Sequence, residues 1–218
     1  MKKRLIVGLT LLVLFSTYKS QNLFLIDKFK IKEIEIENNY IVQKENIIKK
    51  LSFLSDVNLI FLDKNEIEKK LNRIDFIDSF EIKKIYPNKI KIRIYEKKPI
   101  AILQNKKEKF YISDKIELIN YIDLKNYKDL PFVFGNKENF EILYQDLKKI
   151  NFPLELIAAY YFFDAKRWDL ETHNKTIIKL PSKNYTESLN DFVNLRKKDN
   201  FAKYKIFDYR INDQLILK

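Results

Sequence analysis

The stretch Lys84-Ile85-Tyr86-Pro87-Asn88-Lys89-Ile90-Lys91-Ile92-Arg93-Ile94-Tyr95-Glu96-Lys97-Lys98-Pro99-Ile100-Ala101 carries the period of a half-buried strand. Ile90, Ile92 and Ile94 alternate with Lys91, Arg93 and Tyr95. Successive side chains of a strand point to opposite faces, so the three isoleucines share one buried face. Pro87-Asn88 supplies a turn ahead of them, and Phe80 and Ile82, alternating with Glu81 and Lys83, supply the other arm of a hairpin. Pro99 closes the passage and marks a boundary, beyond which apolar alternation resumes.

On the N-terminal side of this hairpin, Ile34 and Ile36 alternate with Glu33, Glu35 and Glu37, and Asn38-Asn39 ends the run with residues that tolerate turn conformations. This predicts a first strand whose glutamates face solvent rather than serve as paired acids. Ile47, Ile48, Leu51 and Leu54 recur at helical spacing between Gln43 and Leu54. Asp63 stands three residues before Glu66 in a pattern like a capping box, with Ile67, Leu71 and Ile74 following on one face. Residues 27–98 therefore read strand, helix, helix, strand, strand.

On its C-terminal side, residues 99–218 form a second, mixed α/β unit. Ile100–Gln104 and Lys109–Ser113 read as strands around a polar turn, and Leu130-Pro131 and Gly135 punctuate the stretch between these strands and the next helix. Phe140–Ile150 is that helix, with Ile142, Leu143, Leu147 and Ile150 on its apolar face. Arg167–Leu180 is a hairpin turning at His173-Asn174-Lys175, with Asn174 taking the left-handed conformation. The strands carry Trp168, Leu170, Ile178 and Leu180; Trp168 either fills the core between hairpin and helix or serves as a partner hot spot, and Arg167 points to the opposite face. Tyr185–Lys197 is helical, and Ile206–Leu217 is a last strand that ends an antiparallel sheet at its edge. An edge strand displays unpaired N–H and C=O groups that can accept a partner's strand.

At the N-terminus, Met1–Arg4 is a short basic tail retained in the cytoplasm, and Leu5–Phe15 is uninterruptedly apolar, with Leu5, Ile6, Leu11, Leu12, Leu14 and Phe15 as its anchoring side chains. Leu5–Tyr18 alone has the length of a cleaved signal. Yet Tyr18 and Lys19 stand where cleavage requires small side chains, and Leu23–Ile26 extends the segment to 5–26, with Lys19 reaching toward the headgroups. These residues leave anchor and cleaved signal open. In either case the rest of the chain works outside the cytoplasm.

Composition excludes more than it selects. Hydrophobic content of 46% and aromatic content of 14% rule out a disordered chain. Without Cys there is no disulfide framework or thiolate chemistry; with His173 the only histidine and Gly8 and Gly135 the only glycines, His-rich metal sites and Gly-rich phosphate loops are gone too. No cofactor and no catalytic constellation are expected. The net charge of +12 comes from 42 basic residues of which only six are Arg, so it lacks the guanidinium enrichment that phosphate recognition favours.

The passage from Lys84 to Ala101 resembles the basic-x-x-Pro, apolar alternation, Glu-basic-x-Pro-x-Ala wording of the bacterial division family FtsQ, called DivIB in Gram-positive bacteria, and residues 27–98 resemble a POTRA domain. Tyr111-Ile112-Ser113-Asp114, Leu130-Pro131-Phe132-Val133-Phe134-Gly135, Arg167-Trp168-Asp169-Leu170 with Leu180-Pro181, and Phe207-Asp208-Tyr209-Arg210 resemble four later motifs of the same family, in order. Lys115 stands where the family has Gly, and Tyr209 where it has Leu. The resemblance implies an uncleaved anchor, a POTRA domain, an FtsQ-type β domain, and a non-enzymatic scaffold of the divisome in the inner membrane at the septum. It further implies capture of an extended segment of an FtsB-like partner, itself bound to an FtsL-like protein, at the closing strand. By that resemblance Arg167, Arg210 and Ile211 contact the partner, and Tyr209, Asp213, Leu215 and Leu217 of the closing strand complete the candidate partner-binding residues. A periplasmic POTRA-type chaperone or outer-membrane assembly module with a cleaved signal is the alternative; it predicts repeated POTRA units or a following β-barrel.

Overall fold

The computed structural model describes residues 2–17, 27–106, 108–201, 203–211 and 214–218. It divides into two compact units, Met1–Glu96 and Lys97–Lys218.

The N-terminal apolar residues form α1 (Lys2–Thr17), which at 1.5 Å per residue is about 24 Å long. No helix among the described residues is long and apolar enough to cross a membrane. Ile6, Leu11, Leu12, Leu14 and Phe15 are exposed on α1, which also contains Leu5. The extension through Lys19 and Leu23–Ile26 lies outside the described residues.

The first unit then runs β1 (Glu33–Glu37), α2 (Lys44–Lys50), α3 (Lys64–Leu71), β2 (Ile77–Ile85) and β3 (Lys89–Glu96), with a 3₁₀ turn at Ser52–Asp56 after α2. Its sheet has the order β1-β3-β2, with β1 parallel and β2 antiparallel to β3. The central strand carries Ile90, Ile92 and Ile94, all fully buried, beneath Ile47, Leu51, Ile67 and Leu71 of the helical layer. Asn38 takes the left-handed conformation at the end of β1 (φ 61°). Asp63 caps α3, but its carboxylate accepts from the Asn65 N–H rather than from Glu66. On the opposite sheet face the glutamates of β1 meet the cations of β3: Lys89 Nζ lies 3.0 Å from Glu33 and also pairs with Glu35, and Lys91 Nζ lies 2.6 Å from Glu37. At the end of β3, the Glu96 carboxylate accepts from the backbone N–H groups of Tyr40, Ile41 and Val42 at 2.8–3.1 Å.

Among the described residues the second unit is one nine-stranded sheet with two α-helices. In chain order these are β4 (Pro99–Asn105), β5 (Glu108–Ser113), β6 (Leu118–Asn120), β7 (Phe132–Phe134), α4 (Lys137–Lys149), β8 (Ile157–Phe163), β9 (Arg167–Thr172), β10 (Ile177–Lys179), α5 (Tyr185–Leu195), β11 (Ile206–Asp208) and β12 (Ile216–Leu217). The sheet order is β12-β11-β10-β9-β8-β7-β4-β5-β6. It is mixed rather than antiparallel, because β4–β7, β7–β8 and β10–β11 pair in parallel. The helices explain two of these three: α4 and α5 are the crossovers that a parallel connection requires.

The buried face of α4 is set by Phe140, Leu143 and Leu147, while Ile142, expected inside, is exposed. The helix begins earlier than expected, at Lys137, where Asn136 caps the Asn139 N–H, and Ile142 sits about 200° round the helix from Phe140, away from the buried face. Gly135 leads into α4 where a Cβ would stand 2.9 Å from Phe162 Cβ and 3.4 Å from the Trp168 ring, so only glycine fits without a shift. Trp168 takes the core of its two readings, beside Leu170, Ile178 and Leu180. In the β9–β10 turn the left-handed residue is Lys175 (φ 67°), not Asn174. After Asp114 it is Ile116 (φ 60°) that takes that conformation, one residue past Lys115.

Candidate partner-binding edge

β12 is the terminal strand of the large sheet. The single closing strand expected over Ile206–Leu217 is instead two short strands, antiparallel to one another, with Phe207 opposite Leu217 and Asp208 opposite Ile216. The interruption has a local cause. Asp208 Oδ1 accepts from the Arg210 backbone N–H at 3.1 Å, an Asx-type turn that ends β11. Tyr209 turns inward, 8% exposed, and its hydroxyl donates to Asp191 of α5 at 2.9 Å. Burial, followed by the hydrogen bond to Asp191, pushes the Tyr209 phenol well above its usual range. Arg210 and Ile211 therefore lie in the connection after β11, which is an interior strand, and not in the edge strand. Asp213 lies outside the described residues.

Among the described residues no strand pairs with the outer side of β12. Lys218 exchanges both backbone bonds with Ile206 (3.1 and 2.9 Å), so the alternation of an antiparallel ladder turns the N–H and C=O of Leu217 away from β11. The side chains of Leu215 and Leu217 are half-buried against the core, whereas Ile216, absent from the expected set, is the exposed apolar side chain of this strand. Beside the edge is a cleft of about 460 Å³ lined by Pro181, Asn184, Asp191, Tyr209, Ile211 and Leu215 among others. Ile211 is 51% exposed at its rim.

Arg167 and Arg210, 43 residues apart in sequence, join one charged row across β9, β10 and β11. Arg167 Nη1 is 2.5 Å from Asp169 Oδ1; Lys179 is the cross-strand neighbour of both Asp169 and Asp208; and Arg210 grips Asp208 through Nε at 2.8 Å and Nη2 at 2.6 Å. The row occupies the sheet face opposite Trp168, Leu170 and Ile178. Both carboxylates are buried, with opposite results. The Arg210 fork holds the Asp208 carboxyl below its usual range, while burial outweighs Arg167, Lys179 and Arg210 at Asp169 and raises that carboxyl. Each guanidinium is thus paired with a carboxylate of its own row, with donors left over. The Arg167 group also lies 4.5 Å from the Phe163 ring centroid. Sequence reasoning missed Asp169, Lys179 and Asp208. They are joined by the register of β9, β10 and β11, which no single stretch of the sequence displays.

His173 is exposed at the β9–β10 turn, on a separate cavity of about 330 Å³ that also contacts Glu155, Arg196 and Tyr204. Among the described residues no group of three or more His, Asp or Glu is placed to hold a metal ion.

Comparison with known proteins agrees with this architecture unit by unit. The family described as "POTRA domain, FtsQ-type" matches residues 29–97, and "Cell division protein FtsQ/DivIB, C-terminal" matches residues 101–210. The cell division protein FtsQ of Rickettsia conorii is 28% identical over 189 residues, covering 84% of this chain and 69% of that protein. That of Agrobacterium fabrum is 23% identical over 166 residues, covering 74% of this chain and 51% of that protein. The major extracytoplasmic domain of the trans isomer of the cell division protein DivIB from Geobacillus stearothermophilus is 10% identical and aligns with a TM-score of 0.35, covering 47% of this chain and 92% of that one; a likeness at that level adds nothing to the assignment. With the two family matches lying in order on the two units, the chain belongs to the FtsQ/DivIB family of bacterial cell division proteins.

Proposed function

We propose that this protein is a non-enzymatic, bitopic scaffold of the divisome, held in the inner membrane by residues 5–26 with its two units in the periplasm at the septum. It captures an extended segment of an FtsB-like partner, itself bound to an FtsL-like protein, by strand addition at β12. The observation that carries this reading is the position of β12 at the end of the sheet with the Leu217 N–H and C=O turned outward. Main-chain bonds along an edge give affinity, and pockets beside it give specificity. In this arrangement the cleft rimmed by Ile211 and Leu215 receives a partner side chain, and the outer donors of Arg167 and Arg210 bind partner carboxylates or carbonyls. Confinement to the membrane surface raises the effective concentration for partners anchored in the same bilayer.

The test separates the backbone donor from the side chain. Leu217→Ala and Leu217→Pro both remove the half-buried leucine, and only the second removes the outward N–H. The proline variant is expected to bind the FtsB-like partner roughly tenfold more weakly than the alanine variant, the worth of one main-chain hydrogen bond. Equal affinities of the two variants, with equal thermal midpoints, would place the partner elsewhere.

A further inference from the structure

The geometry points to a second contact with the membrane: the end of the first unit nearest the anchor is a docking patch for an anionic bilayer surface. This inference rests on the anchor reading of residues 5–26. Phe61 is 80% exposed, Tyr86 58% and Ile60 45%, an unusual concentration of large apolar side chains on one end of a small unit. They are brought to one place by the first residues after the apolar segment. The Leu59 N–H donates to the Phe29 carbonyl at 2.8 Å and the Ile31 N–H to the Val57 carbonyl at 3.1 Å. The Phe29 and Tyr86 rings meet edge to face at 6.2 Å. Phe29 is three residues beyond Ile26, a reach of about 10 Å at most, so the loop carrying Ile60 and Phe61 is held within headgroup range of the point where the chain leaves the bilayer.

The loop is built, not loose. Asn58 accepts from the Ile60 N–H through its side chain at 2.9 Å and from the Phe61 N–H through its carbonyl at 3.1 Å, and Lys84 Nζ donates to the Leu62 carbonyl at 3.1 Å. The surrounding charge suits phosphate headgroups. Lys28 and Lys32 are exposed in the connecting segment, and Lys64 and Lys84 flank the loop, against Asp27, which is paired with Lys30 at 2.8 Å, and Asp63, which is engaged as the cap of α3. Aromatic side chains with lysines around them are the composition that settles at a membrane interface. The opposite end of the same sheet offers an internal control: Tyr40 is 88% exposed beside Glu96, at the far end of the eight-residue β3, about 23 Å away along the strand.

The absence of cysteine makes the test direct, since any introduced thiol is unique. Nitroxide labels at Ile60→Cys, Tyr40→Cys and Leu12→Cys are read in the full chain, reconstituted in vesicles of phosphatidylethanolamine and phosphatidylglycerol. The readout is collision with oxygen, which partitions into lipid, against collision with a water-soluble nickel chelate. The expected result is a several-fold higher oxygen-to-nickel ratio at position 60 than at 40, falling to the level of 40 when Phe61→Asp is added or phosphatidylglycerol is replaced by phosphatidylcholine. If position 60 matches position 40 while position 12 is immersed, docking is overturned and the anchor stands. Shielding of position 60 from both reagents would mean a protein contact and also overturn docking. If position 12 is aqueous as well, the anchor reading falls and docking with it.

Discussion

Asp208 and Asp169 stand one strand apart on either side of Lys179, yet their environments set them in opposite directions. At Asp208 the Arg210 fork dominates and lowers the carboxyl, so its ionised form stabilises the fold. That contribution is complete above the ordinary carboxylate range of about 4 and is lost as the pH falls through the lowered value. Asp208→Asn is therefore expected to cost about 1 kcal/mol at neutral pH, a figure held down by solvent screening at the half-exposed Arg210, and the gap to wild type narrows on acidification in urea denaturation. At Asp169 burial dominates and raises the carboxyl, so its ionised form is a cost at neutral pH that is relieved as the pH falls through the raised value. Wild type is expected to gain stability relative to Asp169→Asn over that interval; a gap that narrows for both variants would mean the two acids do not differ in environment. Neither acid was singled out in the sequence, where only the two arginines were. A hydrogen bond from Arg210 to the residue two before it is short-range, but it shows only once the strand is known to end at Asp208.

Among the elements, β3 shows how far periodicity alone reaches. Its three alternating isoleucines are fully buried at the centre of the first sheet. Ile92→Ala is expected to cost about 2–5 kcal/mol in equilibrium denaturation, the range for a cavity in a packed core, while a loss below about 1 kcal/mol would show that the helical layer collapses onto the space. The five-element order of the first unit was legible because strict alternation and helical spacing are strong local signals. In the second unit β8 went unread, since Ile157–Phe163 is apolar throughout and a strand flanked by neighbours on both sides lacks alternation. Two of the three parallel pairings were hidden for another reason: direction there is decided by the crossover helices α4 and α5 and not by any residue in the strands. The closing strand was extended too far because Tyr209, Ile211 and Leu215 maintain an apolar rhythm, whereas in three dimensions Tyr209 turns inward to Asp191 of α5. The charged row combining Arg167 with Arg210 could not be seen at all, for it exists only through the register of three strands.

For the whole molecule, the charge of +12 is not spread evenly. The cations of β3 are neutralised by the glutamates of β1, whose pairing with Lys89 holds the Glu35 carboxyl below its usual range, and this leaves the sheet face of the first unit without a basic surface. If residues 5–26 anchor the chain, the intact 26.4 kDa protein is expected in the membrane pellet after an alkaline carbonate wash; a shorter, soluble product would mean a cleaved signal and end the anchored-scaffold reading. The topology of the first unit also governs how it comes into being. Its edge strands β1 and β2 do not touch each other; both lean on β3, which is made last, and Glu96, the final residue of that strand, ties down the loop after β1. A nascent chain halted before Lys89 holds two strands with no sheet to join. Until β3 follows, the isoleucines of β1 and the apolar face of β2 have no sheet to cover them and are open to proteases and to chaperones alike.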